Sequence, residues 1–165
     1  AGNSVAVLDD FIYPQLLLSD VKELEFTPYQ TSILQAHRVR VDSGVVVEVM
    51  KNNIVQTLVG GLLNVPVQSD ILVHAWRLRH GDYIGSHADG PKYIGTLTVG
   101  CSVDWKAKNG GAFSFGYPTA AGWMGHYRWL PHIGSAILFR PRADLWHLVE
   151  LSCRTGRKYE LYISL

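Results

Sequence analysis

The sequence predicts a mainly β chain with flanking helices, an α+β domain whose strands form a sandwich or jelly-roll barrel and whose N-terminal helices pack on one face. Three observations predict it. From Ile71 onward, short runs rich in β-branched and aromatic residues recur, each bounded by Gly, Pro or Asp. Before Ile71, apolar residues fall at helical spacing in two stretches. The 165 residues contain no repeat, low-complexity segment or linker, so residues 1–165 read as one domain large enough for one core.

Each element follows from its own pattern. "YPQLLLSDVKELE" places Pro14 in a permissible first-turn position with Leu17, Val21 and Leu24 at helical spacing, which predicts a helix. "RVRVDSGVVVEVM" alternates on either side of Asp42-Ser43-Gly44 and reads as a hairpin. "NNIVQTLVGGLLNVP" carries Val55, Leu58, Val59, Leu62 and Leu63 on one face and stops at Pro66, a second amphipathic helix with that face in the core. The strands follow as "ILVHAWRL", "DYIGSHAD", "YIGTLTVGCSV", "GAFSFGY", "HYRWL", "SAILFR", "LWHLVEL" and "KYELYISL". About eight short strands at this spacing suit a sandwich or barrel better than a parallel sheet.

Composition removes several classes of function. A net charge of +1 with dispersed Lys and Arg gives no basic stripe, which disfavours a nucleic-acid partner. No apolar run approaches the roughly 20 residues needed to span a bilayer, and "AGNSVAVLDDF" lacks the basic segment and apolar stretch of a signal peptide. The expectation is a soluble, cytoplasmic protein without a membrane partner. Cys101 and Cys153 are too few for a disulfide framework and are expected as reduced thiols.

The chemistry concentrates in two places. In "GSHADG", His87 and Asp89 stand two apart, so on a strand both side chains point the same way while Ala88 faces oppositely. His147 in "LWHLVEL" can supply a third ligand from a neighbouring strand. Two histidines and one carboxylate with open positions form the facial arrangement of non-haem Fe(II) oxygenases, whereas a structural zinc site is closed by four ligands. If "SCRTG" turns directly between two antiparallel strands, Arg157 falls roughly 10 to 16 Å from His147. A small dicarboxylate could span that gap, chelating the metal at one end and pairing with the guanidinium at the other. A divalent ion, one aspartate, a dianion and one arginine then sum to zero charge.

A second HxD, His80 and Asp82, has Gly81 at its centre in a turn-like "RHGDY" and reads as structural or substrate-facing. Lone histidines such as His37, His74, His126 and His132 lack partners at ligand spacing, and Gly110 and Gly111 suit backbone bends.

The stretches "HGDYIGSHAD", "DWKAKNGGAFSF", "PHIGSAILF" and "HLVELSCRTGRKYEL", with "VAVLDDFIYPQLL" at the start, resemble the successive motifs of the 2-oxoglutarate and Fe(II)-dependent dioxygenases, in their prolyl-hydroxylase-like branch. The resemblance implies a double-stranded β-helix of cupin-like, jelly-roll type. It implies His87, Asp89 and His147 as iron ligands and Arg157 as the partner of the distal carboxylate of 2-oxoglutarate. Ascorbate would be supportive and dioxygen a co-substrate. Relatives often place a tyrosine where this sequence has Gly100, so Thr96 and Thr98 are the substitutes expected to help hold 2-oxoglutarate. Two residues beyond Arg157, a small or hydroxylated residue is usual; here it is Tyr159. "RKYELYISL" lacks the second arginine of the nucleic-acid demethylating branch. Asp89 favours hydroxylation over halogenation.

The implied activity is hydroxylation of a C–H bond, in a prolyl or related residue of a peptide or protein, with release of succinate and carbon dioxide. Tyr83, Arg79, Trp123 and Arg140 are the candidate substrate contacts, with Trp76 and Arg77 also near the expected mouth. A hydroxylase of a free amino acid or natural product is the first alternative, and a non-redox cupin-like metal protein or silent binding module the second. An arginine one dicarboxylate length from the metal favours the oxygenase.

Overall fold

The computed structural model describes residues 5–66, 71–90, 92–153 and 158–164. A short strand β1 (Val5–Leu8) leads into helix α1 (Pro14–Lys22), which starts on Pro14 as expected. A hairpin follows, β2 (Thr27–Thr31) and β3 (Leu34–Val41), paired from Thr27↔Arg38 to Thr31↔Leu34. Its two-residue loop, Ser32-Ile33, lacks the Asn or Gly that marks such turns, and the hairpin goes unannounced in the sequence.

The expected hairpin around Asp42-Ser43-Gly44 does not exist. The chain leaves β3 there and enters helix α2 (Val45–Lys51). Its β-branched run looks like a strand, yet Val46, Val47 and Met50 lie at helical spacing and are all buried. Packing has overridden local propensity. Helix α3 (Asn53–Leu63) is capped by the Asn52 side chain, which accepts from the Ile54 N–H, and ends on Asn64 in the left-handed conformation. Its apolar face is rotated from the expected one: Val59, Gly60 and Leu63 are buried, but Leu58 and Leu62 are 64% and 51% exposed.

The remaining strands are β4 (Leu72–Leu78), β5 (Tyr83–Ala88), β6 (Thr96–Gly100), β7 (Phe113–Thr119), β8 (Gly122–Trp129), β9 (Ala136–Phe139), β10 (Trp146–Val149) and β11 (Lys158–Ser164). All eight predicted runs form strands. The sheet order is β1-β9-β6-β11-β4-β3-β5-β10-β7-β8, with β2 also on β3. The short pairing of Leu34 with Ile84 and Gln35 with Tyr83 joins a larger half, β1 to β3 in that order, to a smaller one, β5 to β8.

Period-two alternation divides the side chains into two cores. On the helical side, Leu97 and Val99 of β6 and Leu161 and Ile163 of β11 meet Leu17, Val21, Met50, Val59 and Leu63. The helices therefore cover one face, as the sequence predicts. Between the two halves, Phe113 and Phe115 pack with Phe139, Ile137, Leu78, Val149 and Trp129. Residues of opposite parity, Thr96 and Thr98 on β6 and Lys158 and Glu160 on β11, point to that inner side.

β10 and β11 are not a hairpin. β10 pairs with β5 and β7 in the smaller half, and β11 with β4 and β6 in the larger. The direct turn from which the Arg157 distance was reasoned is therefore absent, and Arg157 itself lies outside the described residues. Cys101 is buried, Cys153 exposed, and both are free thiols.

Candidate metal centre

β5 and β10 are neighbours in the smaller half, with His147 directly opposite His87. Asp89 follows one residue after β5, on the same side as His87. The three side chains each offer a ligand atom, and these atoms lie within 4.8 Å of one another. Asp89 Oδ1 is 3.6 Å from His87 Nε2, and Oδ2 is 3.8 Å from His147 Nε2. Ligand atoms bound at right angles to one ion at about 2.1 Å would sit about 3 Å apart. The two carboxylate–imidazole distances are thus within an ångström of those values.

Each ring is prepared for that role. His87 Nδ1 donates to the Gly85 carbonyl oxygen at 2.8 Å, which leaves Nε2 as the lone-pair nitrogen facing Asp89. His147 is 1% exposed, and its buried Nε2 has no hydrogen-bond partner among the described residues. Burial, with the neighbouring His87 second, holds its pKa down to about 4, so the ring is neutral near pH 7. Phe113 stacks on it at 5.1 Å between centroids with 12° between planes, and Phe139 flanks it. An orphaned, neutral imidazole nitrogen beside a carboxylate has the donor chemistry an Fe(II) ion requires, so the residues fit the metal.

The three groups line a cavity of about 210 Å³ with Thr98, Phe113, Val149, Glu160, Trp76, Ile84, Leu34, Tyr29 and Arg38. Thr98 is thus on the cavity wall, and Thr96 Oγ donates to Asp89 Oδ2 at 3.4 Å, which orients the carboxylate. Gly100 has its own reason. A Cβ there would run into the carbonyl oxygen of His132, so no tyrosine can occupy it.

Of the candidate substrate contacts, none borders this cavity. Tyr83, Arg79 and Arg140 are exposed, and Trp123 donates its Nε1–H to Ser114 Oγ at 3.3 Å. Trp76 does line it. Missed by the sequence were Tyr29, Arg38 and Glu160, which come from the unannounced hairpin and the inward parity of β11.

The second HxD is structural. Asp82 is 3% exposed and accepts from the Arg79 backbone N–H at 2.8 Å and from Gln35 Nε2 at 3.3 Å, with His37 Nδ1 at 3.4 Å. Its carboxylate fastens the turn between β4 and β5 to β3, and His80 takes no part.

With this geometry, similarity to solved structures becomes informative. A Pseudomonas putida prolyl-4-hydroxylase superposes with a TM-score of 0.75 at 15% identity, over 98% of this chain and 91% of that one. The fold is that of the prolyl-hydroxylase-like 2-oxoglutarate/Fe(II) oxygenases. The same oxygenase fold is found in a Trichoplax adhaerens prolyl hydroxylase in complex with a hypoxia-inducible-factor peptide, with a TM-score of 0.70, 14% identity and coverage of 98% and 83%. It is also found in a non-haem α-ketoglutarate-dependent epimerase of nogalamycin biosynthesis, with a TM-score of 0.70, 10% identity and coverage of 98% and 77%. No protein-family model and no curated protein matches the sequence. Among the described residues, no helix is long and apolar enough to cross a membrane.

Proposed function

We propose that this oxygenase fold is catalytic: an Fe(II)- and 2-oxoglutarate-dependent dioxygenase that hydroxylates a C–H bond, with a prolyl or related residue of a peptide as substrate. The observation that carries the reading is the convergence of His87, Asp89 and His147 on one point inside a cavity, with no fourth protein ligand among the described residues. The prolyl and peptide assignments rest on the fold shared with prolyl hydroxylases, one of them in complex with a peptide.

When bound, iron and the keto acid would supply the oxidising chemistry, coupling decarboxylation to succinate and carbon dioxide with transfer of one oxygen atom. The chain's part is to hold and shield. His147 presents a neutral nitrogen, His87 offers its Nε2 and Asp89 a carboxylate oxygen, and the Thr96 hydroxyl fixes the carboxylate's orientation. Phe113 and Phe139 wall the His147 side in hydrocarbon, which excludes water from the reacting centre. Thr98 offers a buried hydroxyl to the keto acid.

The test is incubation of the protein with Fe(II), ascorbate, dioxygen and 2-oxoglutarate, following succinate release, and mass spectrometry of candidate proline-containing peptides. Succinate formation and a gain of one oxygen on a peptide are expected. Absence of both keto-acid turnover and keto-acid binding would leave a silent metal-binding module; an oxygenated product lacking proline would remove only the prolyl assignment.

A further inference from the structure

Helix α3 leaves part of its apolar surface uncovered. Val59 and Leu63 turn into the helical-side core, but Ile54 is 71% exposed, and Leu58 and Leu62 are each more than half exposed. Successive members of this trio stand four residues apart, so they form one ridge along the helix, about 12 Å from end to end. On one flank the apolar surface continues into a groove between α2 and α3 lined by Val45, Val49 and Val55. On the other flank the rim is Asn53, Thr57 and Gly61, polar or small and uncharged. Three large aliphatic side chains held in water cost hydrophobic free energy that a covering surface recovers.

The chemistry of the patch selects its partner. No residue from Asn53 to Leu63 is charged. The two charged residues of α2, Glu48 and Lys51, lie 3.9 Å apart and offset each other. A helix that lies on anionic lipid carries Lys or Arg beside its apolar face, and a partner steered by charge needs charge to meet. This face offers neither, whereas a second copy of it meets the first without like-charge repulsion.

Symmetry points the same way. The ridge is centred on Leu58, so two copies laid antiparallel place Leu58 against the partner's Leu58 on a twofold axis and Ile54 against the partner's Leu62. Gly61, beside the ridge, has open space where a Cβ would stand, which lets the two backbones approach closely. Ridge, groove and rim together can bury roughly 500–600 Å² per copy, about 1,000–1,200 Å² in all, the low end of specific interfaces. We propose that this face of α3 is a homodimer interface, in which two copies of the chain pair antiparallel about Leu58. An isologous contact of this kind closes at two copies. The ridge belongs to the helical layer and none of its residues lines the metal cavity, so both cavities stay open in the dimer.

Sedimentation equilibrium of the whole chain from about 1 to 300 μM tests this. Association to a dimer and no further, with a Kd on the order of 10–100 μM, is expected. Leu58→Glu and Leu58→Lys each place like charges on the axis and are expected to raise Kd by more than about 30-fold. An equimolar mixture of the two variants should regain association, because the axis then holds opposite charges. Urea midpoints at about 1 μM, where the chain is monomeric, should match wild type and show the fold intact. Should the Leu58 variants not fold, Ile54→Gln, at the most exposed position of the ridge, is expected to weaken the dimer by about 5- to 10-fold. A wild-type chain that stays monomeric at about 300 μM, growth beyond the dimer, or association unchanged in Leu58→Glu or in Ile54→Gln overturns the proposal. So does a mixture of the Glu and Lys variants that associates no better than either alone.

Discussion

His147 combines near-complete burial, an aromatic enclosure and an unsatisfied ring nitrogen, and each has a measurable effect. His147→Ala and His87→Ala are expected to abolish Co(II) binding measured by absorption titration, whereas His80→Ala leaves it intact; the reverse pattern would move the site to the other HxD. The depressed pKa also predicts a pH dependence of the metal-free protein. The unfolded imidazole gains its proton near pH 6.5, the folded one only near about 4, so between these values the unfolded state binds more protons. Stability falls as pH drops through that window, by up to about 3 kcal/mol from this residue. Urea midpoints at pH 7 and 4.5 should show the loss, and His147→Gln should reduce it. The ligands themselves were legible because a strand's two-residue period is local. Arg38 and Glu160 were not, because they meet the ligands only through pairings between strands distant in sequence.

At the scale of elements, β11 carries the most consequential pair. Burial lowers the Lys158 pKa, and the Glu160 carboxylate 2.7 Å away opposes that shift. Lys158→Met is expected to destabilise by about 3–5 kcal/mol, since it strands a buried carboxylate, and Lys158→Met with Glu160→Leu should recover much of this in urea denaturation. Every strand from Ile71 on was readable, because alternation and bounding Gly, Pro and Asp agree with the final structure. α2 was misread because valines favour strands until Val46, Val47 and Met50 find the core. β2 was missed because exposed Thr27, Pro28 and Gln30 leave no apolar alternation to detect.

For the whole molecule, the centre joins β5 to β10 beside the inner core, so metal binding should stabilise the domain globally. At 100 times its Kd, a metal that binds only the folded state adds about 2.7 kcal/mol. For a domain of this size that corresponds to roughly 5–10 °C in Tm. Scanning calorimetry with Co(II) should show such a rise in wild type and none in His147→Ala. The layering was legible as helices over one face of a β structure. The crossing from β10 to β11 was not, because a chain segment that changes halves has no periodicity of its own.

That crossing bears on synthesis. β11, last of the described strands in sequence, lies in the middle of the larger half, with β6 on one flank and β4 on the other. Until it emerges from the ribosome, both flanks expose unpaired edges and Leu97, Val99, Val73 and Ala75 lack their central neighbours. Nascent chains should therefore stay sensitive to protease and attractive to chaperones until β11 has been made, then close in one late step.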